Sequence, residues 1–76
     1  MTELDLRGTP CPLNFIRTRL ALEKLPPGST LQVDLDRGEP EMMVHSGVEG
    51  AGHGVVVVAH PEDPSAVRLL IQRADG

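Results

Sequence analysis

Cys11 is the only cysteine of the chain and stands between two prolines, in Thr9-Pro10-Cys11-Pro12. A cysteine thiolate is a strong nucleophile whose reactivity follows its pKa and its access. With no second cysteine, an internal disulfide is excluded, so any chemistry of this thiol is directed at another molecule. A free thiol, with a pKa near ~8.5, is mostly protonated at neutral pH; lowering it by about one to two units makes it substantially thiolate. The alternative reading is a small buried hydrophobe, the commoner fate of a lone cysteine.

The flanking elements favour the first reading. Glu3-Leu4-Asp5-Leu6-Arg7 alternates like a strand, and Leu13 to Leu25 reads as a helix, so Cys11 falls at a strand-to-helix switch. The first amides of a helix are unsatisfied and carry a positive partial charge, which stabilises a thiolate. Pro12 suits the first helical turn, Pro10 holds Thr9 extended, and Gly8 permits a tight turn out of the strand. Arg7, Arg17 and Arg19 are the cations expected near the thiol, and Asn14 lies in the first helical turn. None of His45, His53 and His60 is near in sequence. His53, in Gly52-His53-Gly54, is the one that a turn could return to the site, although a turn histidine is more often solvated surface.

The rest of the chain must build the scaffold. Leu31-Gln32-Val33-Asp34-Leu35 is an alternating strand after the break Pro26-Pro27-Gly28-Ser29. Val55 to Ala59 is apolar on both faces, as a central strand would be. Val67, Leu69 and Ile71 alternate with Arg68 and Gln72 after the turn His60 to Ser65. Glu39 to Glu49 reads as a short second helix, with Gly38 or Glu39 as its cap, Pro40 in its first turn, and Gly47, Gly50 and Gly52 fraying its end. The order is β-α-β-α-β-β, an α+β chain. Glu3, Asp5 and Arg7, then Gln32, Asp34 and Asp36, then Arg68 and Gln72 form polar rows opposite apolar ones. An open-faced two-layer sandwich follows, with a four-stranded mixed sheet and two helices on one face. The first β-α-β unit is expected to be parallel with a right-handed crossover, and the last two strands a hairpin.

The first helix has two apolar stripes. Phe15, Thr18, Leu22 and Leu25 share one, with Ala21 and Asn14 beside it; Leu13, Ile16 and Leu20 share the other. Either both are core, or the second is an exposed patch beside Cys11, rimmed by Arg17, Arg19, Glu23 and Lys24, where a partner protein docks.

Seventy-six residues make one domain, spanning residues 1–76. Its core is aliphatic, because Phe15 is the only aromatic residue. A net charge of −4 and the absence of stacking aromatics argue against direct nucleic-acid binding. No apolar run reaches membrane-spanning length, three scattered histidines with one cysteine spell no metal site, and no cofactor is implied. The start, Met-Thr-Glu-Leu-Asp, has no export pattern, so a monomer in the reducing cytoplasm is expected.

Asp5-Leu6-Arg7-Gly8-Thr9-Pro10-Cys11-Pro12, the helix end from Leu22 to Gly28, Leu31-Gln32-Val33, and Gly52-His53 before a valine-rich strand resemble the TusA/SirA family of small sulfur carriers. The resemblance covers nearly the whole chain. It implies the same two-layer fold and a persulfide formed on Cys11, with Pro12 as its helix-start partner. It also implies a protein donor, such as a cysteine desulfurase or rhodanese-like protein, and a protein acceptor in tRNA thiolation, molybdenum cofactor assembly or sulfur metabolism. The family's hallmark is Cys-Pro-x-Pro, and here Asn14 takes the place of the last proline. That restores an N–H near the sulfur and adds an amide. The competing function is a protein-binding regulatory module with a non-catalytic cysteine.

Overall fold

A computed structural model describes residues 2–10 and 12–74. The chain forms β1 (Thr2–Asp5), α1 (Leu13–Glu23), β2 (Thr30–Asp36), α2 (Glu39–Gly50), β3 (Gly54–Ala59) and β4 (Ala66–Gln72). The sheet has four strands in the order β1-β2-β4-β3. β1 and β2 are parallel, and β4 is antiparallel to both of its neighbours. The expected α+β sandwich is therefore present, with β3 and β4 as a hairpin and both helices on one face.

Alternation decides which side chains seal the core. Leu31, Val33 and Leu35 of β2 and Val67, Leu69 and Ile71 of β4 point to the same face, and all six are buried. Leu6, Leu22, Val44 and Val48 complete the cluster. On the other face the register sets Glu3 beside Gln32 and Asp5 beside Asp34, with Arg68 next to Asp34 on the far side. That face is not wholly wet, because Asp34 and His60 are buried on it.

Two expectations need correction. The valine strand is an edge strand, and the central partner of β2 is β4. Val56 is 58 % exposed, and Val57 and Val58 are exposed to a little over a third. β-branched residues suit any extended pleated surface, so a valine run identifies a strand without saying where it lies in the sheet. The second helix is also not short: it has 12 residues against 11 in α1. Its Gly38 cap adopts a positive φ of 94°, and Pro40 sits in its first turn. Gly47 lies inside the helix, where a Cβ would overlap three carbons of the Phe15 ring. Glycine thus lets α1 and α2 approach.

Replacing Gly47 by Ala tests that packing by its sign. In an unencumbered helix the change stabilises by about 1 kcal/mol. Here it is expected to destabilise by about 1–3 kcal/mol through overpacking. Urea unfolding checks this, and pairing Gly47→Ala with Phe15→Leu is expected to recover part of the loss.

Candidate functional site

Parallel pairing of β1 with β2 brings the loop after β1 and the loop after β2 to the same end of the sheet. Cys11 itself lies outside the described residues, so the site is defined by the groups that hold the chain on either side of it. The ladder continues past β1, with Leu6 N–H donating to the Asp34 carbonyl at 2.9 Å. A turn follows, closed by Thr9 N–H on the Leu6 carbonyl at 3.1 Å. Gly8, third in that turn, has a φ of 77°, the left-handed conformation that glycine adopts without strain.

Three carboxylates brace this turn. Asp36 Oδ2, at the end of β2, accepts the Gly8 N–H at 2.7 Å. Arg7 donates to both carboxylate oxygens of Asp5 at 2.8 and 2.9 Å, and reaches Asp63 Oδ2 in the β3–β4 turn at 3.3 Å. The Arg7 cation is therefore committed to two carboxylates. Its side-chain and backbone hydrogen bonds hold the Asp5 carboxyl down at about 2. Asp63 is also held below its ordinary value, first by the Ser65 hydroxyl and N–H, then by Arg7.

Beyond Cys11 the chain enters α1. Pro12 is the cap residue, directly before Leu13, and makes no side-chain cap bond. Among the described residues the Leu13 N–H finds no acceptor, leaving an open helix-start amide beside the cysteine. Asn14 is fully buried. Its N–H donates to the Pro10 carbonyl at 3.1 Å. Its side-chain oxygen accepts the Phe15 N–H at 2.7 Å, and its carbonyl accepts the Thr18 hydroxyl at 2.9 Å. The N–H that asparagine restores is thus bound to Pro10. A proline at this position would remove that bond and the amide acceptor together.

Phe15, Thr18, Leu22, Ala21 and Leu25 face the interior. Leu13, Ile16 and Leu20 are 46, 38 and 46 % exposed, so of the two readings of α1 the exposed patch is the one that holds. Arg17 and Arg19 are exposed too, and no ion pair or hydrogen bond engages their side chains among the described residues.

Each histidine has a different partner. His45 Nε2 lies 3.5 Å from Glu49, and His53 Nδ1 accepts the Ala74 N–H at 3.0 Å. His60 Nδ1 accepts two backbone N–H groups, from Glu62 at 3.1 Å and Asp63 at 3.0 Å. Its proton therefore sits on Nε2, which faces Asp34 Oδ2 at 3.2 Å, while Arg68 Nε donates to Asp34 Oδ1 at 2.9 Å. This buried triad fixes the β3–β4 turn that carries Asp63. Among the described residues no cluster of His, Asp and Glu could hold a metal ion. Asp36 and Asp63 were not singled out as site residues from sequence. The signal for Asp36 was its place at the end of the strand parallel to β1, where the two loops must meet.

A family model described as sulfurtransferase TusA matches residues 2–73. A protein of Thermotoga maritima, named as a candidate sulfur carrier, is 33 % identical over 69 residues, covering 91 % of this chain and 86 % of the relative. An identically named protein of Archaeoglobus fulgidus is 42 % identical over 55 residues, covering 72 % of this chain. The chain spans 62 % of that relative's length. Among solved structures, a SirA-like protein from Desulfitobacterium hafniense shares the fold with a TM-score of 0.83, covering 99 % of this chain and all of its own, at 22 % identity.

Two measurements test the site's supports. Truncating Asn14 to Ala is expected to cost about 1–3 kcal/mol in urea unfolding, because buried polar groups lose their partner. The depressed Asp5 carboxyl contributes stability that is complete above its ordinary value of 3.8 and lost as pH falls through about 2. Asp5 is half exposed, so the effect is modest. Acid unfolding of the parent is expected to steepen in that window, and Asp5→Asn to flatten it.

Proposed function

Because this chain belongs to the sulfurtransferase TusA family, we propose that it is a sulfur carrier and that Cys11 holds the sulfur as a persulfide. The single observation that supports this best is the family match over residues 2–73, which includes the chain's one cysteine in its Asp-x-Arg-Gly-x-x-Cys-Pro setting.

The Cys11 thiolate attacks the terminal sulfur of a donor protein's persulfide. A bond forms from Cys11 Sγ to that sulfur, the donor's sulfur–sulfur bond breaks, and the donor leaves as a thiolate. In the second step an acceptor nucleophile takes the outer sulfur, and Cys11 leaves as the thiolate. With no resolving cysteine, the loaded chain has no internal route of discharge. The turn held by Asp36 and by the Arg7–Asp63 pair sets the direction of the segment entering Cys11, and the Asn14–Pro10 bond sets the direction of the segment leaving it. The open amide at Leu13 and the positive end of α1 favour the thiolate. The exposed Leu13, Ile16 and Leu20 give donor and acceptor an apolar surface on the helix that follows Cys11. The cytoplasm, where thiols stay reduced, suits this chemistry.

Incubation of the reduced protein with a persulfide-loaded cysteine desulfurase or rhodanese is expected to add one sulfur, on Cys11 alone, released by dithiothreitol. Mass spectrometry reads it. Cys11→Ser is expected to take none, while Leu20→Glu slows loading without changing the final mass. No gain from any donor class, with the thiol shown to be free, would refute the carrier reading. Loss of partner capture in Leu20→Glu but not in Cys11→Ser, without sulfur loading, would favour a binding module.

A further inference from the structure

α1 and the free edge of β1 enclose a groove of about 480 Å³. Its apolar lining is Leu4, Leu20, Ala21 and Leu25, and its rim carries Arg17 and Lys24. It adjoins a second hollow of about 340 Å³, with which it shares Thr2 and Leu25 and which reaches Ser29 and Thr30 at the start of β2. β1 pairs only with β2 and is an edge strand, so half of its peptide groups point into this open space.

The distribution of charge selects the occupant. The chain carries seven Lys and Arg residues against eleven Asp and Glu. Arg7 is paired with Asp5 and Asp63, and Arg68 with Asp34. Arg37 donates to the Pro64 carbonyl, and Arg73 to the carbonyls of Glu23 and Leu25. Among the described residues, the cations whose side chains have no partner are Arg17, Arg19 and Lys24, all on or next to α1. Arg17 and Lys24 stand seven positions apart on one side of the helix, roughly 10 Å along its axis, and Leu20 lies between them. An acidic molecule thus keeps uncompensated positive charge along the wall of an apolar groove beside an unpaired strand. The β3 edge is more apolar, but its run from Gly54 to Ala59 has no charge with which to choose a partner.

From this geometry we infer that the groove binds an extended acidic segment of a partner protein, which adds to β1 as a further strand. Its backbone bonds the β1 edge, alternate apolar side chains enter over Leu4, Ala21 and Leu25, and carboxylates meet Arg17 and Lys24. The groove shares Leu20 with the apolar patch proposed to receive the sulfur partners, but binding in it does not require the thiol of Cys11.

The test uses a short capped peptide of alternating valine and glutamate, titrated into the isotopically labelled full chain. Shifts are expected at the Thr2 to Asp5 amides and at the Leu20 and Leu25 methyls, with affinity falling as salt rises. The double variant Arg17→Glu/Lys24→Glu, with its fold verified from the same spectra, is expected to bind at least about tenfold more weakly. A peptide N-methylated at alternate residues is expected to bind more weakly as well, since it cannot complete the ladder. Cys11→Ser is expected to bind as the parent does, which separates this outcome from any failure of sulfur transfer. Equal binding by the lysine counterpart, shifts confined to the β3 edge, no binding at millimolar peptide, or occupation of the groove by a second copy of the chain would each overturn the proposal.

Discussion

The structure depends on the antiparallel pairing of β2 with β4. Seven residues of each strand are in register, and every helix-facing side chain of the pair, from Leu31 to Leu35 and from Val67 to Ile71, is buried. A chain of this size with an aliphatic core has no aromatic cluster, disulfide or described metal cluster to supplement burial, so this central strip must be covered completely. Two helices of about three turns suffice, provided that they lie close together. Gly47 beneath the Phe15 ring allows that approach. Once α1 is fixed over the strip by Asn14, Thr18 and Leu22, its far side has nothing to cover it, and Leu13, Ile16 and Leu20 remain in solvent.

The same pairing organises the chemical end of the molecule. β1 joins β2 in parallel, which sets the loop leading to Cys11 beside the end of β2 and within reach of the β3–β4 turn. Polar groups then brace the loop from both sides. Asp36 takes the Gly8 amide, and Arg7 spans Asp5 and Asp63. Asp63 is itself steadied by Ser65 and by the His60–Asp34–Arg68 triad behind the turn. These bonds contribute little individually to global stability where they are exposed. Their effect is directional: they restrict the loop's approach to the helix start. Neutralising Arg7 in this way also means that the cations left open on the surface are those of α1.

The alternation of Leu31 to Leu35 and of Val67 to Ile71, the helical period after Pro12, and the breaks at Pro26-Pro27 and His60 to Ser65 made the elements, their order and the two-layer architecture legible from residue types alone. Cys11 stands out in the sequence by its type and setting and lies outside the described residues, between the turn after β1 and the start of α1. Less legible was Asn14. As a departure from the family's proline it was read as setting an N–H near the sulfur, whereas that N–H is bound to Pro10 and the side chain is buried with the Phe15 N–H as a partner. Asp36 and Asp63 were inconspicuous because each acts on a group about thirty residues or more away in the chain.

The sequence by itself determined local conformation and the apolar faces of β2 and β4, because those follow from sterics and periodicity over a few neighbouring residues. Only the tertiary structure decided which strand lies at the centre. Four consecutive valines are equally at home at an edge, and it is long-range pairing that placed β4 beside β2 and left Val56 in water. It also decided why Gly47 is glycine and which side of α1 is exposed. Each of those outcomes depends on what a distant segment brings into contact, and no local pattern encodes it.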